Sequence, residues 1–156
     1  MFERIVELFV EIAAVEVVRN TISPRSLVRR IKPRSAMSRF CYAVHGISLT
    51  DLQNEPYFED VIPELVEFVG DATIVAHNYV YEYNTLKREF ERAAHPVYPR
   101  ERFSCTLAMA KRSGLPRKLR HACSQAGISV AHLRAEHDAL NDALLAAHLF
   151  LKLNRN

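Results

Sequence analysis

The chain has 156 residues, 49% of them apolar and 25% charged, the size and composition of an ordinary domain with enough apolar content to bury a core. Its net charge of +3 is mild, and its three cysteines, Cys41, Cys105 and Cys123, are scattered and odd in number, which argues against a disulfide framework and for reduced thiols in the cytoplasm. No run reaches the roughly 18–20 apolar residues of a membrane span, and Met1-Phe2-Glu3-Arg4 opens no secretory signal, so neither a membrane protein nor a secreted one is expected.

In chain order, residues 8–18 are rich in β-branched side chains and predict a strand. Residues 21–24 read as a turn and 26–31 as a second strand, ended by Lys32-Pro33. Val44-His45-Gly46-Ile47 predicts a loop, after which Ser48 can cap a short helix through Leu52. A stronger helix opens at Glu55-Pro56. Its apolar positions Val61, Ile62, Leu65, Val66, Phe68 and Val69 follow helical spacing until Gly70 stops it. Residues 72–76 form a short continuous apolar run, as in a strand buried on both faces. A helix over 79–93 sets Leu86 and Phe90 four apart, and a short strand follows near 102–105. Further helices are predicted over 107–112, 117–126 and 138–153. Strands first, then strands alternating with helices, predict one α/β domain over 1–156 with a mixed sheet and an atypical N-terminus at 1–10.

Positive charge is unevenly spread. Arg25, Arg29, Arg30, Lys32, Arg34 and Arg39 form one basic stretch, and Arg100, Arg102, Lys111, Arg112, Arg117, Lys118 and Arg120 a second. Such clusters suit a phosphate backbone, and equally suit solvated faces. Cys41 with His45, or His121 with Cys123, lack a second pair at finger-like spacing, so structural zinc is not expected.

Several segments carry a resemblance when taken in order: Glu11-Ile12-Ala13-Ala14-Val15, Val44-His45-Gly46-Ile47, Ala76-His77-Asn78-Tyr79-Val80-Tyr81-Glu82, residues 105–110, and His137 through Asp142. Together they resemble the DEDDh-type (DnaQ-like) 3'-5' exonucleases from about Glu11 onward. The resemblance implies a ribonuclease H-like mixed sheet flanked by helices. It also implies two Mg2+ or Mn2+ ions held by carboxylates and a histidine general base. By position, His137 would be the base, Asp142 and Glu82 metal ligands, and His45, His77 and Asn78 substrate-binding residues. Read from the residues alone, His77 and Asn78 hold a strand-to-helix turn, His45 stabilises its loop, and His148 packs within the last helix. Implied partners are DNA or RNA 3' ends, a polymerase-like protein, or a second copy of the chain.

The sequence departs from the family pattern at two places. Glu82 stands where an aspartate is expected, and the extra methylene moves the carboxylate by roughly an ångström, enough to cost on the order of 100-fold in rate. The opening strand of the family carries Asp-x-Glu, and no such pair precedes Glu11. Glu3, Glu7 and Glu11 recur every four residues, which would line one side of a helix over 2–12. Without that central strand, two sheet edges would face each other unpaired. An upstream start, residues 2–9 used as a makeshift strand, or a strand lent by a partner chain would each resolve this. Catalysis is therefore expected to be weak or absent. The alternative is a degenerate domain that binds nucleic acid or a protein without cutting.

Overall fold

The computed structural model describes the backbone of residues 2–3 together with residues 10–34, 46–131 and 138–154. Strand β1 (Phe2–Glu3) pairs antiparallel with β2 (Glu11–Val18), setting Phe2 opposite Ala14 and Glu3 opposite Ala13. Strand β2 pairs antiparallel with β3 (Thr21–Arg30), and β4 (Ile74–Ala76) runs parallel to β5 (Phe103–Cys105). β1 pairs with β2 and also lies close to β4, so residues 2–3 stand between the antiparallel sheet β1–β2–β3 and the separate parallel pair β4–β5. Residues 2–3 and 11–12 are strand, which corrects the reading of 2–12 as a helix; residues 4–9 lie outside the described residues.

The β2–β3 hairpin corrects the reading of residues 21–24 as a turn. The chain reverses at Arg19-Asn20, both with positive φ (49° and 61°), as a two-residue type I′ hairpin requires. Pro24 lies inside β3. The ladder shifts register between Val15 and Val17, where Ser23, Pro24 and Arg25 stand opposite Glu16 alone. A proline is tolerated there because its missing N–H interrupts a ladder that is already broken. Glu16 holds the bulge, accepting from Ser23 Oγ at 2.6 Å and from Arg25 at 2.9 Å.

Ile12 through Val15 are all buried, and their side chains alternate between two cores. Ile12 and Ala14, with Leu27 and Ile74, pack against Phe58, Val61, Ile62, Leu65 and Val69 of α1 (Phe58–Val69) and Leu86 and Phe90 of α2 (Tyr79–Arg92). Ala13 and Val15, with Val75, pack against Ala139, Ala143 and Ala147 of α5 (Ala139–Leu153). Alanines four apart let α5 approach the sheet closely. Helices α3 (Thr106–Arg112) and α4 (Leu119–Gln125) cover the far side of α5, where Ala110, Ala122 and Cys123 meet Leu145 and Leu149. Each fully buried side chain such as Phe58 or Leu65 contributes about 1.5–3 kcal/mol through burial.

Helix α1 carries Pro63 on its exposed face, where the freed carbonyl of the preceding turn can reach water. The short helix expected after Ser48 is replaced by turns, although its cap forms: Asp51 N donates to Ser48 Oγ, and Ser48 N and Oγ donate to Asp51 Oδ2. Those donations hold the Asp51 carboxyl below its usual range. Pro56 biases Glu55 toward extended backbone, which leaves too few residues to offset helix nucleation. His148 is exposed, not packed as its place in an apolar run suggests. No described helix is long and apolar enough to cross a membrane.

Candidate active site

Two of the residues singled out for metal binding are buried carboxylates in the first turns of helices packed against β4. Glu82 is 4% exposed in α2, which begins directly after β4, and Asp142 is 5% exposed in α5. A carboxylate in a first helical turn gains from the positive end of the helix dipole, which offsets part of its desolvation. A third buried acid, Glu89, is neutralised by Arg88 and Arg92 on its own helix. Among the described residues no three His, Cys, Asp or Glu side chains come together as a metal site. His137 and His45 lie outside the described residues.

His77 and Asn78 form the joint between β4 and α2. Asn78 is exposed and left-handed (φ 70°, ψ 55°), a conformation asparagine tolerates better than most residues, and its side chain makes no cap bond. His77 is half-buried between three segments. Its Nε2 lies 2.7 Å from the Arg117 carbonyl, and its Nδ1 lies 3.0 Å from Thr106 Oγ1. A carbonyl only accepts, so Nε2 carries the proton; Nδ1 of the neutral ring then accepts from the Thr106 hydroxyl. Burial lowers the His77 pKa below its ordinary value, opposed by the bond to Arg117. The neutral ring therefore ties the end of β4 to the start of α3 and to the segment leading into α4.

The start of α5 is fixed by two carboxylates. Asp138 accepts from Asn141 N at 2.9 Å as the N-cap, and Glu11 reaches across from β2 to accept from Ala139 N at 3.3 Å. Glu11 also pairs with Arg30 at 3.6 Å. The sequence places Glu11 at the head of the second strand and among the acids that recur every four residues, without marking it as a cap. The signal for its capping role was a lone acid at the head of an apolar strand. Thr106, fully buried, was missed as well; a hydroxyl at a strand-to-helix joint was its only mark.

A surface concavity of about 320 Å³, lined by Lys32, Pro33, Leu49, Thr50, Leu52 and Gln53, contains none of these residues.

Residues 4–150 match the family model RNase_T, described as an exonuclease. The DNA polymerase III subunit epsilon of Rickettsia felis is 29% identical over 149 residues, covering 92% of this chain and 65% of that protein. The Escherichia coli subunit of the same name is 27% identical over 150 residues, covering 92% and 61%. The chain thus spans less than two thirds of the length of these curated relatives. Among solved structures, exonuclease X in complex with 5' overhanging duplex DNA superposes with a TM-score of 0.69 at 27% identity, covering 93% of this chain and 81% of that one. The nuclease domain of 3'hExo, a DEDDh family member bound to rAMP, gives 0.75 at 15% identity, covering 94% and 80%, a likeness of fold. The ordered motifs, the place of β1 between β2 and β4, the sheet clad by helices on both faces and a family match over nearly the whole length agree: the chain belongs to the RNase_T exonuclease family, as a DEDDh-type (DnaQ-like) member with a ribonuclease H-like fold.

Proposed function

We propose that this chain is an exonuclease-like domain that binds nucleic-acid 3' ends, DNA or RNA, and hydrolyses them weakly or not at all. The observation that carries this reading is the pair of buried carboxylates, Glu82 and Asp142, in helix first turns against the same strand. They offer the hard oxygen donors that Mg2+ or Mn2+ prefers. Two side chains do not make up a two-metal centre, and no group of three potential ligands forms among the described residues. Among the described residues the donor set falls short of an intact two-metal site, so no step is routed through metal ions.

Within this reading the protein's own groups divide the work. The His77–Thr106–Arg117 junction and the Glu11 and Asp138 caps hold the helix starts that carry the carboxylates. His137, adjacent in sequence to the Asp138 cap, is the proposed proton acceptor for an attacking water in whatever hydrolysis the domain performs, a role open to an imidazole nitrogen. Asn78 is exposed beside the junction and is the proposed substrate contact there, with His45 a second. A polymerase-like protein is the proposed partner, since the matched relatives are named as subunits of a polymerase, and the proposed setting is the cytoplasm.

The test is a Mn2+-dependent digestion of a 3'-labelled single strand. Little or no turnover is expected. Robust digestion that vanishes in both His137→Ala and Asp142→Ala would show that the site is complete and the impaired reading is wrong.

A further inference from the structure

The two basic stretches of the sequence part company in the fold. In the first, Arg25 pairs with Glu16, Arg29 with Glu64, Arg30 with Glu11 and Arg34 with Glu59, while Lys32 stands over the Tyr57 ring. Part of the second is committed in the same way. Arg100 lies 4.8 Å from the centre of the Tyr83 ring, and Arg102 donates to the carbonyls of Gly70 and Ala72. Lys111, Arg112, Arg117 and Lys118 differ. All four are exposed, and among the described residues none makes an ion pair. No Asp or Glu occurs anywhere from residue 102 to residue 135, so no acid within that stretch offsets them.

Position adds to charge. Lys111 and Arg112 end α3, and Arg117 and Lys118 lead into α4. The Arg117 carbonyl is bonded to His77, which places this loop next to the joint from which the Glu82 helix departs. Seven residues of helix at 1.5 Å each put the far end of α3 about 10 Å from that joint. Positive charge without an ion-pair partner among the described residues thus extends outward along one side from the end of β4 nearest the Glu82 helix.

We infer that the α3–α4 surface carrying Lys111, Arg112, Arg117 and Lys118 is the track for the phosphodiester backbone of a single strand whose 3' end lies at Glu82 and Asp142. This rests on the nucleic-acid reading above and specifies where the strand lies. Each cation that neutralises a phosphate frees a counterion condensed on the strand; these four can do so directly, whereas an arginine held by a carboxylate must first give up that partner. Four phosphate contacts on a single strand give a salt slope of about −2.8 in log K against log salt, or about 50-fold weaker binding between 50 and 200 mM salt.

The experiment is fluorescence anisotropy of a 5'-labelled single-stranded oligonucleotide with the full chain in EDTA, across that salt range. The variants are K111Q/R112Q, R117Q/K118Q, the four combined, and R29Q as a control from the ion-paired stretch, each checked by thermal melting. The fourfold variant is expected to lose about 2.8 from the slope, each pair about half of that, and R29Q almost nothing. A wild-type chain that binds no oligonucleotide overturns the nucleic-acid reading and this track with it. Wild-type binding whose slope is unchanged in the fourfold variant leaves that reading standing and overturns the track alone, marking the surface for an acidic protein instead. An equal loss in R29Q also overturns it, because bulk charge would then account for the effect.

Discussion

His77 shows how much one side chain can organise here. Its neutral ring uses both nitrogens, donating to Arg117 and accepting from Thr106; a proton added on Nδ1 would turn the Thr106 hydroxyl from donor to acceptor, leaving its own proton only the long 3.5 Å bond to the Ala76 carbonyl. Its lowered pKa fixes the sign of the pH dependence. The folded state favours neutral His77 more than the unfolded chain does, so the unfolded state binds the extra proton first. The contribution is complete above the unfolded pKa of about 6.5 and is lost as pH falls through the lower folded value. Wild-type protein is therefore expected to lose melting temperature on acidification below about pH 6.5 more steeply than His77→Gln, in which that position no longer titrates. Parallel slopes for the two proteins would remove His77 from the account. Glu11 gives a second expectation. Glu11→Gln keeps an oxygen for Ala139 N but loses the charge that pairs with Arg30 and favours the helix N-terminus, costing about 1 kcal/mol in denaturant unfolding. Glu11→Ala loses the cap as well and should cost more.

At the scale of elements, what was legible in the sequence followed from periodicity, and what was not followed from chemistry shared between strands. The apolar run of β2, the helical spacing through α1, and Leu86 with Phe90 in α2 mark elements that the fold contains. The hairpin was misplaced because Pro24 is a strong local turn signal and Arg19-Asn20 a weak one. Which of them reverses the chain depends on Glu16, across the ladder, holding Ser23 and Arg25. Removing that clamp with Glu16→Ala is expected to cost about 1–2 kcal/mol and to raise hydrogen exchange at Arg25, whose amide donates to Ser23 Oγ, more than in α5. Uniform exchange across both would mean the bulge does not depend on Glu16. Within the core, Leu65→Ala should cost about 2–5 kcal/mol, since Leu65 is fully buried among residues from both β2 and α2. The carboxylates Glu82 and Asp142 could be listed from motif order alone. Their burial in first turns against one strand could not, because it depends on how α2 and α5 dock on β4.

For the whole molecule, the position of β1 is the deciding feature. Residues 2–3 sit between β2, with which they pair, and β4, so that the antiparallel sheet and the parallel pair lie side by side and feed their alternating side chains to the same two cores. The fold of an exonuclease is present, and on the proposed reading of an impaired carboxylate set, binding and cutting are expected to separate. Low affinity can imitate poor chemistry in a turnover assay. The direct measurement is therefore single-turnover: protein in saturating excess over a 3'-labelled strand, with Mn2+, following bound fraction and shortened product in one reaction. Bound strand that stays intact is the expected result. Rapid shortening of the bound strand, abolished by Asp142→Ala, would contradict the account.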